Sequence, residues 1–413
     1  MKSPDSLIKH ANIMMVATVV MGIFNFLYQI LMNRGLGAED FADFYALLGL
    51  FVILSVPGMT IQTVVTKRIS QLRAKDDYAG MARVFSGSLK RIFALGVLSF
   101  SLFVLVSGYL RDFLDIGSRL PVIITGVALL SSLFVPVGYG ALQGLQKFTS
   151  LGINLILSTL GRVGSGVFLV FLGFRVSGAI GSSIIFSILA FGAAMVSLRF
   201  LFRKSSAGGK IDFLQMYKYS FPVFLAIFLL SLLSFVDILL VKHFFKEGAA
   251  VYSTASVLSR AIIYFSLAIS MVMFPKVSEM EAKGENPSWL LGKSLLYYTI
   301  LCLVASLIFF SFPEFIIRIF RREYLDTAPQ LLKGFGFALT PIGLIGILVY
   351  YNLAVHRMKF LYVLLGGTAL HIVLLSIFHA TLLQVVLVLG LSGTLILGIL
   401  LAVTVNIKKT LKL

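Results

Sequence analysis

Apolar runs long enough to cross a bilayer recur from one end of this sequence to the other. Coiled as a helix, about 20 residues span a ~30 Å hydrocarbon core, where every backbone N–H and C=O must be satisfied internally. Short alternating segments of the kind a membrane β-barrel needs are absent. Composition agrees: 59% of the 413 residues are hydrophobic, only 13% are charged, and the mean hydropathy is +0.99. A soluble surface needs far more charge than that. The expected fold is therefore all-α, a polytopic membrane protein.

About twelve spans are expected, near 10–32, 41–65, 88–110, 121–144, 150–172, 176–198, 217–241, 251–275, 290–312, 329–354, 359–379 and 382–404. The N-terminal apolar stretch is too long for a signal-peptide core and is read as a retained first span. With an even number of spans, both termini share a side. Twenty-three lysines and arginines fall on that side, seven of them in the 66–91 loop, and ten fall opposite. The excess places both termini in the cytoplasm of a cell whose cytoplasmic membrane holds the protein. The net charge of +18 is thus topological rather than a sign of nucleic acid. The 66–91 loop has a second reading, as a holder of anionic lipid heads.

The SSAGG stretch at the midpoint reads as a linker. The expected organisation is an N-terminal six-helix bundle (1–198), a cytoplasmic linker (199–216) and a C-terminal six-helix bundle (217–413), around a central cavity. The halves echo each other. FYALLGLFVILSVPGMTIQTVVTKRIS, from Phe44, parallels VYSTASVLSRAIIYFSLAISMVMFPKVS, from Val251, and both end in a basic-apolar-Ser triplet. Both run in the same direction, as in transporters built from parallel repeats.

These stretches carry a resemblance. NRGLGAEDFADFYALLGLFVILSV with VVTKRIS, then YSFPVFLAIFLLSLLSFVDILLVKHFF, AAVYSTASVLSR and MFPKVSEM, resemble the Wzx-type oligosaccharide flippases of the multidrug/oligosaccharidyl-lipid/polysaccharide exporter superfamily. One position departs: Ala38 stands where that family usually has proline. Lipid II flippases resemble longer chains, and the multidrug branch resembles sequences with an acid in the first helix, which is absent here. The resemblance implies transport of a polyprenyl-pyrophosphate oligosaccharide across the membrane by alternating access, for cell-surface polysaccharide synthesis. It implies membrane lipids as surroundings, H⁺ or Na⁺ as coupling ion, contacts with polysaccharide assembly proteins, and no cofactor or metal.

An anionic lipid head needs fixed cations in a wet cavity, and sugars need hydroxyl and amide partners. Arg162 and Arg260 fall inside spans and Arg34 ends the first; all three are candidate substrate-binding cations. A central arginine costs roughly 2.5–3.5 kcal/mol on insertion scales, which favours a protein-facing position. The competing reading for Arg162 is a structural arginine bonded to backbone carbonyls. For Arg34 it is a cation at a helix C-terminus. Asn25, Gln29, Gln62, Gln143 and Asn154 are candidate sugar partners, with interhelical hydrogen bonds as their plainer role. Gln146 shares both readings. Asp237 lies in LLSFVDILLV and has three readings: an ion pair with Arg260 that locks the hairpin, a gate or coupling site that pairs in one state, or a solvated carboxylate at the outer mouth. His371 and the lone Cys302 read as structural.

There is no P-loop, no H-E-x-x-H and no G-x-S-x-G. The alternative functions are an ion-coupled drug or organic-cation antiporter of the same superfamily and, from another class, a membrane polysaccharide polymerase or ligase. The first calls for an acidic interior, the second for a large external loop, and neither is evident.

Overall fold

A computed structural model describes residues 4–73, 75–204 and 220–410 of the chain. Among the described residues all regular structure is helical. Two compact units divide the chain, Met1–Phe224 and Leu225–Leu413. Of the 199–216 linker, Arg199–Lys204 forms a short 3₁₀ stretch and the rest lies outside the described residues.

In the first unit the helices are α1 (Pro4–Gly35), α2 (Ala38–Arg73), α3 (Tyr78–Phe113), α4 (Arg119–Ser132), α5 (Val135–Gly144), α6 (Phe148–Leu169) and α7 (Arg175–Leu198). The second unit contains α8 (Phe221–Phe244, whose first residues belong to unit one), α9 (Ala249–Ser259), α10 (Ala261–Ala282), α11 (Ser288–Ser311), α12 (Pro313–Phe320), α13 (Ala328–Ala338), α14 (Thr340–Ala354), α15 (Phe360–Ile377) and α16 (Leu382–Thr410).

Among the described residues, eleven continuous helical stretches are long and apolar enough to cross a membrane, and one of them, Phe148–Leu201, is 54 residues long. It is two crossings. Gly173, at φ +89°, and Arg175, at φ +45°, adopt the left-handed backbone that ends a right-handed helix. Beyond that break α7 packs back along α6. The Arg175 Nε–H donates to Asp40 Oδ2 at 2.6 Å and ties the turn to the start of α2. Twelve crossings result among the described residues.

The 66–91 segment corrects the expected loop. α2 continues to Arg73 and α3 begins at Tyr78, with Asp77 accepting from the Gly80 N–H at 2.7 Å. Each helix has 36 residues, about 54 Å at 1.5 Å per residue, and so outruns the hydrocarbon. The apolar window ended near Val65 because charged residues follow. The helix persists because Ile69 keeps one face buried against Met81, Val84 and Phe85. A second difference is α12, a short amphipathic helix between the spans expected at 290–312 and 329–354; it buries Pro313, Ile317 and Phe320.

The sequence echo has a structural counterpart. The fourth crossing of each unit is broken midway: α4 gives way to α5 just before Pro136, and α13 gives way to α14 just before Pro341. Proline fits the first turn of a new helix but clashes inside an old one. In both units the second crossing packs on the fourth (α2 on α5, α10 on α14), and the fifth packs on the sixth (α6 on α7, α15 on α16). The α2–α5 contact is close because Gly140 and Gly144 form a GxxxG pair. A Cβ on Gly140 would lie 2.7 Å from the Gln62 carbonyl oxygen. Thr66 Oγ1 donates to the Gly140 carbonyl at 3.2 Å, and Ser70 Oγ to that of Gly144 at 3.3 Å.

Candidate functional site

Each unit holds a charged centre among its crossings that the sequence had singled out. In the first it is Arg162, the fifteenth residue of α6. Its Nη1 donates to Asn25 Oδ1 of α1 at 3.1 Å, and its Cζ lies 4.6 Å from the centre of the Tyr28 ring. Asn25 and Tyr28 are three residues apart on α1, hence on one face of the helix. The Tyr28 hydroxyl reaches past the arginine to donate to the Ala179 carbonyl of α7 at 2.6 Å. Thus α1 supplies an amide, a ring face and a tie to α7. Arg162 Nε is buried and has no hydrogen-bond partner.

Arg162 lines a cavity of about 250 Å³. Around it stand Ser55, Gln62, Ser132, Tyr139, Ser183 and Ser187, with Phe51 and Phe186 as aromatic walls, and no lining residue is acidic. The volume is below the ~300–1,000 Å³ of common small-molecule pockets, so it suits a phosphoryl group or part of one sugar rather than a whole oligosaccharide.

The amides divide between wall and scaffold. Gln62 Nε2 donates to Gln143 Oε1 at 3.1 Å, linking α2 to α5, and Thr66 Oγ1 lies 3.1 Å from the same oxygen as an alternative acceptor to the Gly140 carbonyl. Gln62 also lines the cavity; Gln143 stands behind it. Asn154 is buried and committed. Its Nδ2 donates to the Ala190 carbonyl at 2.8 Å, while its Oδ1 accepts from Ser158 Oγ at 2.8 Å and from Tyr139 OH at 3.4 Å. Its reading as an interhelical lock fits this geometry, and it is absent from the cavity lining. Gln29, one turn beyond Asn25, buries an Oε1 that has no hydrogen-bond partner, and it too is outside that lining. Arg34 is exposed in the last turn of α1. Gln146 adopts φ +56° in the turn between α5 and α6.

In the second unit the centre is Asp237 with Arg260. Arg260 Nη2 lies 2.8 Å from both Asp237 oxygens, and both residues are buried. Tyr252 OH donates to Asp237 Oδ2 at 2.7 Å, and Arg260 Nε donates to Ser256 Oγ at 3.0 Å. The guanidinium carbon lies 4.7 Å from the Phe235 ring centre. Asp237 is on α8, and Arg260 sits at the break between α9 and α10. A buried carboxylate is tolerable when its charge is matched and its lone pairs are filled, and both conditions hold here. Of the three sequence readings, the solvated carboxylate does not fit a fully buried Asp237.

Sequence reasoning missed Tyr28, Tyr139 and the serines of the cavity. Serine and tyrosine are too common in apolar helices to stand out. Tyr28 had one available signal, its i+3 spacing from Asn25. Among the described residues no group of histidine, cysteine and carboxylates is arranged to hold a metal ion.

A family model described as polysaccharide biosynthesis protein matches residues 7–281. The chain belongs to the polysaccharide biosynthesis protein family. The matched region takes in all of the first unit's crossings and runs through Asp237, Arg260 and almost all of α10. A comparison with curated proteins finds no match. Among solved structures, this family member is similar to an inward-facing multidrug resistance MATE family transporter of the MOP superfamily, with a TM-score of 0.79 at 16% identity, over 95% of this chain and 96% of that one. It is also similar to the lipid II flippase MurJ in an inward closed conformation, with a TM-score of 0.71 at 20% identity, over 95% of this chain and 87% of that one. The fold is that of the MOP superfamily transporters, and the chain is a multi-pass membrane protein.

Proposed function

We propose that this polysaccharide biosynthesis protein is a flippase, moving a polyprenyl-pyrophosphate-linked oligosaccharide across the cytoplasmic membrane by alternating access. The observation that carries the reading is Arg162: a fixed cation on a cavity wall that bears no acid and offers hydroxyls, an amide and aromatic faces. An anionic phosphate leaving the headgroup region loses hydration, and a preformed cation offsets that loss where the dielectric is low. Hydroxyls and ring faces suit the sugar next to it. In this reading the cavity, at about 250 Å³, receives the charged link or part of the first sugar, and the lipid chain stays outside.

An organic-cation antiporter would need an uncompensated carboxylate on its path. The cavity wall has none, and Asp237 is matched by Arg260. Within the flippase reading both termini are cytoplasmic, the driving ion is H⁺ or Na⁺, and the product is handed to polysaccharide assembly proteins. The Asp237–Arg260 pair locks its hairpin. Arg34 steers the anionic head at the end of α1, and Gln29 is a further amide for the glycan.

The test is leaflet translocation of a polyprenyl-pyrophosphate oligosaccharide in proteoliposomes. Wild type should translocate it. Arg162→Ala should abolish this while remaining folded, and Arg162→Lys should retain part of it. A wild type that moves no lipid-linked sugar but expels small organic cations down a pH gradient would replace this reading with the antiporter.

A further inference from the structure

α12 starts where α11 stops, and α11 ends at the edge of the hydrocarbon. Its 24 residues measure about 36 Å at 1.5 Å per residue, enough to cross a ~30 Å core. At Phe312 the backbone leaves the helix, at φ −128° and ψ 41°, and Pro313 opens the next one. The eight residues of α12 therefore begin close to a membrane surface.

Three sets of side chains divide α12 lengthwise. Pro313, Ile317 and Phe320 are buried, and the helix packs on α11 and α13 of its own unit. Phe312, Phe315 and Ile319 are exposed, at 61%, 66% and 40%. Glu314 and Arg318 are exposed as well. The spacings are i/i+4/i+7, i/i+3/i+7 and i/i+4, so each set keeps to one face. At about 100° per residue the three faces point roughly 120° apart. A surface helix of a soluble protein needs two faces, one for the core and one for water. α12 has a third, which is apolar and exposed. That face begins at Phe312, where the exposed apolar surface of the crossing α11 (Leu303, Leu307, Phe310) comes to its end.

Charge does not select a partner for it. Between Phe312 and Thr327 the three arginines, at 318, 321 and 322, are equalled by Glu314, Glu323 and Asp326. The surroundings that fit are the boundary between lipid heads and acyl chains. There an amphipathic helix can bury aromatic and aliphatic side chains while its charged face stays in water.

We propose that α12 is an interfacial helix whose partner is the phospholipid bilayer. It lies along the membrane surface at that end of α11. Phe312, Phe315 and Ile319 enter the acyl boundary, Ile317 and Phe320 hold the protein, and Glu314 and Arg318 face water. Apolar insertion supplies the attachment, with no requirement for anionic lipid. The second unit is thereby anchored to one leaflet by a contact outside its crossings.

The test uses the full chain in lipid nanodiscs, with a nitroxide on one introduced cysteine at a time: Phe312→Cys, Glu314→Cys, Phe315→Cys or Arg318→Cys. All four positions are exposed, so labelling leaves the packing of α12 in place. Cys302 is buried, and the unsubstituted chain treated alike gives the background. No substrate is added, so the result is independent of the flippase reading. Collisions of the label with oxygen, which concentrates in the bilayer, are compared with collisions with a water-soluble nickel chelate. The oxygen-to-nickel ratio should be several-fold higher for Phe312→Cys and Phe315→Cys than for Glu314→Cys and Arg318→Cys. It should be the same in phosphatidylcholine alone and in phosphatidylcholine mixed with phosphatidylglycerol. Equal ratios at all four positions would place α12 in water and overturn the proposal. Shielding of the Phe312 and Phe315 positions from both reagents would assign the third face to protein and overturn it too. A high ratio seen only with phosphatidylglycerol would overturn attachment by apolar insertion.

Discussion

Arg260 grips Asp237 through a single nitrogen: Nη2 lies 2.8 Å from each carboxylate oxygen, while Nε turns away to Ser256. This is not the two-pronged fork that distinguishes arginine from lysine at many carboxylates. Losing one partner leaves a buried charge unmatched, which costs about 3–5 kcal/mol. Asp237→Asn and Arg260→Gln should each lower the thermal unfolding midpoint sharply. The double variant should lie above the sum of the two. Arg260→Lys should keep much of the stability, because one nitrogen suffices for the carboxylate; its deficit should reflect the lost Ser256 bond and Phe235 contact.

Asn154 is a lock between helices, and its loss should be felt in stability rather than in transport per folded molecule. Asn154→Ala removes the amide that ties α6 to the Ala190 carbonyl and the side-chain acceptor facing Tyr139, while Ser158 keeps the Asn154 main-chain oxygen at 2.6 Å. The expected cost is about 1–3 kcal/mol. A thermal-shift series alongside translocation normalised to folded protein would separate the two effects.

Tyr28 does two things that substitution can split. Tyr28→Phe keeps the ring beneath Arg162 and removes the bond to Ala179, so it should cost about 1 kcal/mol of stability and spare translocation. Tyr28→Leu also removes the ring, which should release Arg162 from its place and lower translocation well beyond the Phe variant.

Gly140 and Gly144 set the distance between α2 and α5. Gly140→Ala places a Cβ against the Gln62 backbone, and Gly144→Ala places one against Ile69 and the Thr66 carbonyl. Backbone cannot swing aside as a side chain can, so each should cost roughly 1–3 kcal/mol. Each should also disturb the Gln62–Gln143 bond. The double variant Gly140→Ala/Gly144→Ala should fall short of additivity, because one displacement of α5 relieves both clashes. Unfolding midpoints of the three variants would measure this.

The residue pattern alone fixed the element type and the number of crossings, because a bilayer leaves the backbone no alternative to helices and the length of each apolar run sets each crossing. It did not locate the ends of α2 and α3, since a helix can leave the membrane and continue on a narrow buried stripe such as Val65–Ile69. The prolines at 136 and 341 were visible, but that each starts a new helix in the fourth crossing of its unit was not. Asp237, Arg260 and Arg162 were conspicuous because charge is expensive in oil and therefore rare there. Their partners were not conspicuous. Tyr252 and Tyr28 are ordinary residues in apolar helices, and only the packing of one helix on another makes Tyr252 a carboxylate's donor and Tyr28 an arginine's platform. Sequence determines which charges must be sheltered; the tertiary structure decides who shelters them, because hydrogen bonds of 2.6–2.8 Å depend on positions that residues far apart in the chain reach only once the helices pack.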